Sequence, residues 1–337
     1  MGNIYDVLPE LRQQAVDAYF KPILQPIEGF IGQSKILPIK EYNRDEVWYR
    51  VYDSPTGLML PADPDAPAPK IAPKGMSEES FKGYNFKEAK IFGAKDINYL
   101  QQCTPDLRDE YLINAIDQLI VRAKTRIEQM IWSAFTGTLS VTGNGLNYTK
   151  AYPVQTATTT ASWKTATTNI LADLVINAKK IKAYGGQCKY IVMNSTTFAN
   201  TFGINNYFQD KMKYGGFLYE IGTITQIIQQ KPELQGTQIV IYDEGYIPDG
   251  SSSVTLFVPD DVVFYIGGST NFGLGEFQLV RDPNSVALGG EAKPGFWDRS
   301  IEHTESDPYG VEVLYGFTGA PAIVFPKWVV YDSNIAS

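Results

Sequence analysis

The sequence predicts a mixed α+β fold with extended projections, built from one or two compact domains. Three observations carry this expectation. Aromatic residues make up 13% of the chain while charged residues make up 20%, a balance that favours β structure or large packed interfaces. A single apolar stripe keeps helical spacing from Leu112 to Ala134, and short β-branched and aromatic runs recur on either side of it. With 337 residues and 44% apolar content, the chain can fill a sizeable core.

The N-terminal 1–40 segment combines a short helical pattern (Leu8, Leu11, Val16, Tyr19) with Pro22, Pro26 and Pro38, which forbid a continuous helix and leave an arm. In the 41–95 segment, Glu46 to Tyr52 reads as a strand. A second strand from about Phe81 to Phe92 makes the other side of a long hairpin. The connection carries Pro55, Pro61, Pro64, Pro67, Pro69 and Pro73, so it should be extended and cannot be a buried strand.

A long helix follows. Thr104 can cap it, Pro105 suits its first turn, and Asp106, Asp109 and Glu110 sit at the positive end of its dipole. Leu112, Ile116, Leu119, Ala123, Ile127, Met130 and Ile131 form its stripe, and Gly137 ends it. At 1.5 Å per residue it should be roughly 45 Å long. Residues 138 to about 165 are Thr-, Ser- and Gly-rich and read as strands or a surface loop.

A second helix runs from about Thr168 to Tyr184 and stops at Gly185-Gly186. The strand Lys189–Asn194 comes next, then a short helix capped within Ser195-Thr196-Thr197. Strands Gln238–Tyr242, Val254–Val258 and Val262–Ile266 complete an α+β unit. In the last stretch, Phe296–Ile301 and Gly310–Tyr315 read as two sides of a ribbon, and Ala320–Tyr331 is apolar enough to be buried. The divisions expected are 1–40, 41–95, 96–165, 166–290 and 291–337.

Several function classes are disfavoured. A formal charge of -8 and a pI near 4.9 have the wrong sign for tight binding to phosphate backbones. No window approaches ~18 consecutive apolar residues, so no membrane span is expected. Cys103 and Cys188 make neither a disulfide framework nor a Cys-x-x-Cys zinc pair. The sequons at Asn147 and Asn194 then read as chance.

Catalytic and metal chemistry find little support. The only histidine is His303, within Glu302-His303-Thr-Glu305-Ser-Asp307, but in a ribbon Glu302 would point away from His303 and Glu305, so an acidic edge is expected and no metal. Gly267-Gly268 and Gly273-Leu-Gly275 lack the Gly-Lys-Ser/Thr of a phosphate cradle and read as a turn between strands. Asp63-Pro-Asp65 lacks the later ligands of a calcium loop. The pairs Asp243-Glu244 and Asp260-Asp261 at strand ends could imitate a glycosidase dyad. A β-rich carbohydrate-active hydrolase is therefore one alternative reading; a surface-array or tail-tube protein is another.

The ordered blocks carry a resemblance. Lys87–Ile97 leads into the long helix, followed by Lys189–Phe198, Val258-Pro259-Asp260, Asp307–Val313 and Ala320–Pro326. Together they resemble the tailed-phage major capsid (head) proteins, the group like the lambda head protein E. The resemblance implies the Hong Kong 97 phage capsid fold: an N-terminal arm (1–40), an extended E-loop hairpin (41–95), a P-domain with a spine helix (96–165), an A-domain (166–290) and a return to the P-domain sheet (291–337). It implies a non-enzymatic shell protein without cofactor, forming hexamers and pentamers of an icosahedral head around double-stranded DNA held without sequence-specific contacts. A procapsid would form in the host cytoplasm and then expand. The partners implied are other copies, a portal, a scaffold with its protease and a decoration protein. A negative charge suits such a container. No Lys–Asn–Glu trio for an intersubunit crosslink is identifiable, and any scaffold is expected to be a separate protein. Trp48, Tyr49, Tyr52, Phe81, Tyr84 and Phe86 on the hairpin are the candidates for packing on a neighbouring subunit.

Overall fold

The computed structural model describes residues 8–12, 14–16, 27–52, 76–215, 221–270, 272–282, 294–303 and 310–336. The chain divides into two compact units. The first comprises Met1–Trp48, Ser80–Gln129 and Phe277–Ala322; the second comprises Tyr49–Glu79, Met130–Glu276 and Ile323–Ser337.

The first unit is built on a sheet whose hub is β15 (Gly310–Ile323). β15 pairs antiparallel with β14 (Phe296–His303) and with β4 (Tyr84–Gly93), and it adjoins β13 (Gly275–Val280), which pairs parallel with β1 (Ile39–Glu41). Nearly every position of β15 is buried, which its run of small and apolar residues allows. Gly316 is required there: a Cβ would sit 2.5 Å from the Phe86 carbonyl oxygen and 2.6 Å from the Trp297 ring.

Against this sheet the core gathers Phe92, Val311, Val313 and Tyr315 with Leu112, Ile116 and Leu119 of a long helix. That helix, α2 (Pro105–Phe135), has 31 residues and follows the short α1 (Ala94–Gln102). The Arg108 N–H bonds the Thr104 carbonyl, so the helix starts where Pro105 allows. Leu8, Leu11 and Val16 of the N-terminal segment are buried in the same core. A π-helical turn, Gly32–Ile36, is held by Glu128 of α2: the Gly32 and Gln33 N–H groups donate to its carboxylate at 2.8 and 3.0 Å.

The second unit carries a sheet ordered β7 (Gln155–Thr156), β16 (Val329–Asp332), β12 (Val263–Gly268), β8 (Gln187–Met193), β9 (Gln238–Ile241). β12 is buried at all its positions, as a central strand should be. α3 (Ile170–Ala183) packs on this sheet with Ile170, Leu174, Ala178 and Ile181 inward, and its N-cap Asn169 accepts the Ala172 N–H. α4 (Ser195–Thr201), α5 (Asn206–Gly215) and α6 (Ile221–Gln229) follow.

Among the described residues there are also three two-stranded ribbons: β2 (Glu46–Tyr52) with β3 (Met76–Lys82), β5 (Thr138–Gly143) with β6 (Leu146–Ala151), and β10 (Gly245–Tyr246) with β11 (Thr255–Leu256). The β5–β6 turn places Asn144 and Gly145 at φ 49° and 75°, the left-handed pair that a tight hairpin needs.

Four differences from the sequence reading have physical causes. The expected second side of the hairpin, Phe81 to Phe92, is two strands broken at Gly83. Only β3 pairs with β2; β4 joins the large sheet, where its aromatic residues meet those of β15. The C-terminal stretch is also divided, since β15 lies in the first unit's sheet whereas β16 joins the second, after Pro326 interrupts the strand. The cap of α4 is Asn194, whose side chain accepts the Thr197 N–H, and not one of the residues that follow it. Finally, α1, α5 and α6 were not apparent as helices, being only nine or ten residues long. No helix among the described residues is long and apolar enough to cross a membrane.

Candidate assembly surfaces

The groups that could have formed a catalytic centre hold loops in place. The Asp243 carboxylate accepts the Ser195 N–H at 2.7 Å, at the start of α4. Asp260 accepts from the Asn194 side chain at 2.6 Å. Asp261 has φ 64°, pairs with Lys164 at 2.7 Å and donates its own N–H to Thr197 Oγ1 at 2.9 Å. Three of the four acids of the supposed dyads therefore cap and pin segments around α4, which removes the geometric basis of the hydrolase reading.

His303 Nε2 lies 2.9 Å from Glu312 Oε2 across the β14–β15 pair. Glu305 and Asp307, like Asp63 and Asp65, fall outside the described residues, among which no group of three or more His, Cys, Asp or Glu could hold a metal. Gly267 and Gly268 end β12 and do not cradle a phosphate: at Gly267 a Cβ would lie 2.6 Å from the Ile181 side chain and 2.9 Å from Trp328.

Among its described residues, the second unit buries the carboxylates Asp173 and Asp332. Asp173 accepts from Thr160 and from the Trp163 indole N–H at 2.8 Å, and Asp332 accepts from the Thr159 hydroxyl at 2.6 Å and the Asn334 N–H at 3.0 Å. Burial raises the Asp332 carboxyl above its ordinary 3.8, and the Asp173 charge pushes the same way, against the two hydrogen bonds and Lys180. The unfolded chain thus ionises this group at lower pH than the folded one. Its contribution to stability is intact at acid pH and declines as pH rises through the window above 3.8. In an Asp332→Asn variant, the melting temperature relative to the parent should shift upward between about pH 4 and about pH 7. A pH-independent difference would contradict this.

The six hairpin aromatics are distributed unequally. β2 alternates exposed and buried positions, so Val47, Tyr49 and Val51 face inward while Glu46, Trp48, Arg50 and Tyr52 face outward. Trp48 is 37% exposed and Tyr52 39%, whereas Tyr49 and Tyr84 are buried within the subunit. Tyr52 stacks on Phe325 at 5.3 Å, and its N–H donates to the Val324 carbonyl. Phe86 stacks on Phe317 at 5.1 Å, and Phe81 lies 5.9 Å from Tyr84. The period-two alternation of the strand was the signal that could have separated Trp48 and Tyr52 from Tyr49. The Pro-rich connection from Pro55 to Pro73 lies outside the described residues.

Other large apolar side chains are exposed where no sequence pattern marks them. Ile247 and Val254 flank the β10–β11 turn at 57% and 62% exposure, and Ile176 and Tyr207 line one groove. Such surfaces, with no assembled chemistry among the described residues, suit contacts between proteins.

Comparison with known proteins agrees. The sequence profile of the family described as phage major capsid protein E matches residues 15–274. No curated protein sequence matches the chain. Among solved structures, a protein assigned as a prophage capsid protein from E. coli CFT073 is 13% identical, with 99% of each chain covered and a TM-score of 0.61. A phage-related protein from Bordetella bronchiseptica RB50 is 9% identical over 96% of this chain and 97% of that one, with a TM-score of 0.57. The capsid protein of a native GTA particle is 12% identical over 90% and 89%, with a TM-score of 0.51. The match over well more than half of the sequence, on the Hong Kong 97 phage capsid fold, means that the chain belongs to the phage major capsid protein E family and is a structural, non-enzymatic component of the virion shell.

Proposed function

We propose that this chain closes into an icosahedral head of pentamers and hexamers around double-stranded DNA, with the outward face of β2 seated on a neighbouring subunit. The observation that carries the intersubunit part is the β2–β3 ribbon. A sheet two strands wide cannot cover both of its faces, and this one leaves Trp48 and Tyr52 half-exposed beside the Arg50–Glu78 ion pair. Tyr49 and Tyr84, being buried, drop out of the contact set; Phe81 and Phe86 remain at its margin.

In this reading the first unit corresponds to the P-domain with its spine helix α2, and the second to the A-domain. The 1–40 segment acts as the arm and the chain around β2 and β3 as the E-loop. The formal charge of -8 lets the shell enclose DNA without gripping it. A portal, a scaffold with its protease and a decoration protein are the partners of assembly, which takes place in the host cytoplasm.

The test is assembly of the full chain, alone and co-expressed with its scaffold, followed by electron microscopy. Closed shells or five- and six-membered rings are expected. A Trp48→Ser/Tyr52→Ser variant should keep its circular dichroism spectrum but yield about tenfold fewer shells, as loss of aromatic anchors at an interface does. Normal shells from that variant would remove the β2 contact.

A further inference from the structure

We infer that the open face of the first unit's sheet docks an acidic amphipathic helix of a different protein, the helix's apolar stripe lying along β15 and its acids reaching cations on β4 and β14. β15 pairs with β4 on one side and with β14 on the other from Gly310 to Phe317, so three strands lie abreast with β15 in the middle. Their side chains alternate between two faces. On one face Phe92, Val311, Val313 and Tyr315 meet α2 in the core. On the other, among the described residues, Leu314 and Ile301 are only half-buried, Ala89 is exposed and Ile91 is 47% exposed. One covered and one open face on the same strands leave apolar surface for a further layer.

Charge on this open face is unevenly matched. Lys87 of β4 and Arg299 of β14 make no ion pair among the described residues. The acids beside them are occupied: Glu312 lies 2.9 Å from His303, and Asp282 accepts from the Asn85 side-chain amide at 3.2 Å. Cations with no acid left for them call for an anionic partner. They stand on the two outer strands, about 10 Å apart across two strand spacings, with Leu314 between them. Along the strands, Trp297 to His303 covers about 20 Å. An α-helix some 10 Å wide and about 13 residues long matches that footprint. An extended chain, about half as wide, would leave one outer strand uncovered.

Two other occupants fit less well. Lys87 and Arg299 are too few to hold duplex DNA against a formal charge of -8. A second copy of this chain would have to offer the outer face of α2, where the exposed Leu107, Ile113 and Val121 alternate with Asp106, Glu110 and Asp117. That arrangement sets carboxylates over Leu314 and Ile301, whereas the sheet needs an apolar centre with acids on both flanks.

The face carries its own reporter, because the Trp297 ring lies over Gly316, where a Cβ would come within 2.6 Å of it. The test titrates the full-length protein, as unassembled subunits and as shells, with a synthetic helical peptide of about four turns whose leucine stripe is flanked on both sides by glutamates. The same peptide with lysines in place of the glutamates, and a short DNA duplex, are the comparisons. The glutamate peptide should bind and shift the tryptophan emission, and Trp297→Phe should remove that shift. Lys87→Glu/Arg299→Glu should keep its circular dichroism spectrum, bind the glutamate peptide about tenfold more weakly or worse, and bind the lysine peptide better than the parent does. Absence of glutamate-peptide binding, equal binding of the two peptides, or an unchanged affinity in the charge-reversed variant overturns the docking surface. Displacement of the peptide by the duplex would make this a phosphate-binding face. Shells lost in the variant while the parent binds no peptide would make it a contact between copies; either result overturns the helical partner.

Discussion

Glu128→Ala should destabilise the first unit by about 2–5 kcal/mol, because two buried backbone donors lose their acceptor at once. Glu128 has no exposed surface, and its carboxylate receives the Gly32 and Gln33 N–H groups together with the Gln33 side-chain amide at 3.3 Å. The Gln33 amide also donates to the Lys124 carbonyl at 3.2 Å, so the turn is tied to α2 at two successive helical levels. Nothing else in the turn can replace these acceptors, since a π-helical segment leaves its first N–H groups without partners of its own. Glu128→Gln keeps one acceptor oxygen and should cost about half as much. Gly32→Ala should reproduce much of the loss without touching the carboxylate, because its Cβ would lie 2.6 Å from Glu128 Oε1. Chemical denaturation of the three variants, with hydrogen exchange at the Gly32 and Gln33 amides, checks the argument. A Glu128→Ala protein within about 0.5 kcal/mol of the parent would refute it.

This clamp also marks where sequence reading stops. α2 was legible from end to end, because a stripe at three- and four-residue steps, a proline at the first turn and a glycine after the last leave one solution. The two central strands of the second sheet were legible for a similar reason: Val263 to Ile266 and Ile191 to Met193 are continuous apolar runs that need cover on both faces. Pairing partners were not legible. Tyr84 to Gly93 looks like the return of a hairpin, yet it bonds to Gly310–Gly319, more than two hundred residues away, because the turn that would have fixed a local register is absent at Gly83. Nor could the roles of the acids be read. Asp243, Asp260 and Asp261 resemble catalytic pairs in sequence, and only their positions around the first turn of α4 make them caps and anchors. The six aromatic candidates sort by strand period, which assigns Trp48 and Tyr52 to one face. Phe86 depended on a long-range stacking partner, Phe317, that no local pattern announces.

Trp132→Ala should cost the second unit about 3–5 kcal/mol, the range for removing a buried aromatic without refilling its space. Trp132 is buried near the end of α2, with Tyr242 and Phe264 each 5.2 Å away between ring centres and Phe135 edge-on at 5.6 Å. Phe264 in turn contacts Tyr331 at 5.3 Å, so the indole touches the strands β12 and, through it, β16. Loss of hydrogen-exchange protection should therefore concentrate in those strands. Trp132→Phe, which keeps an apolar ring, should lose less than half as much. The same helix carries Leu112, twenty residues earlier in the sequence, in the core of the first unit. Sites with no shared packing partner act independently, so Leu112→Ala and Trp132→Ala should add to within about 0.5 kcal/mol in a double-mutant cycle. An interaction energy well above that would contradict the independence of the two sites.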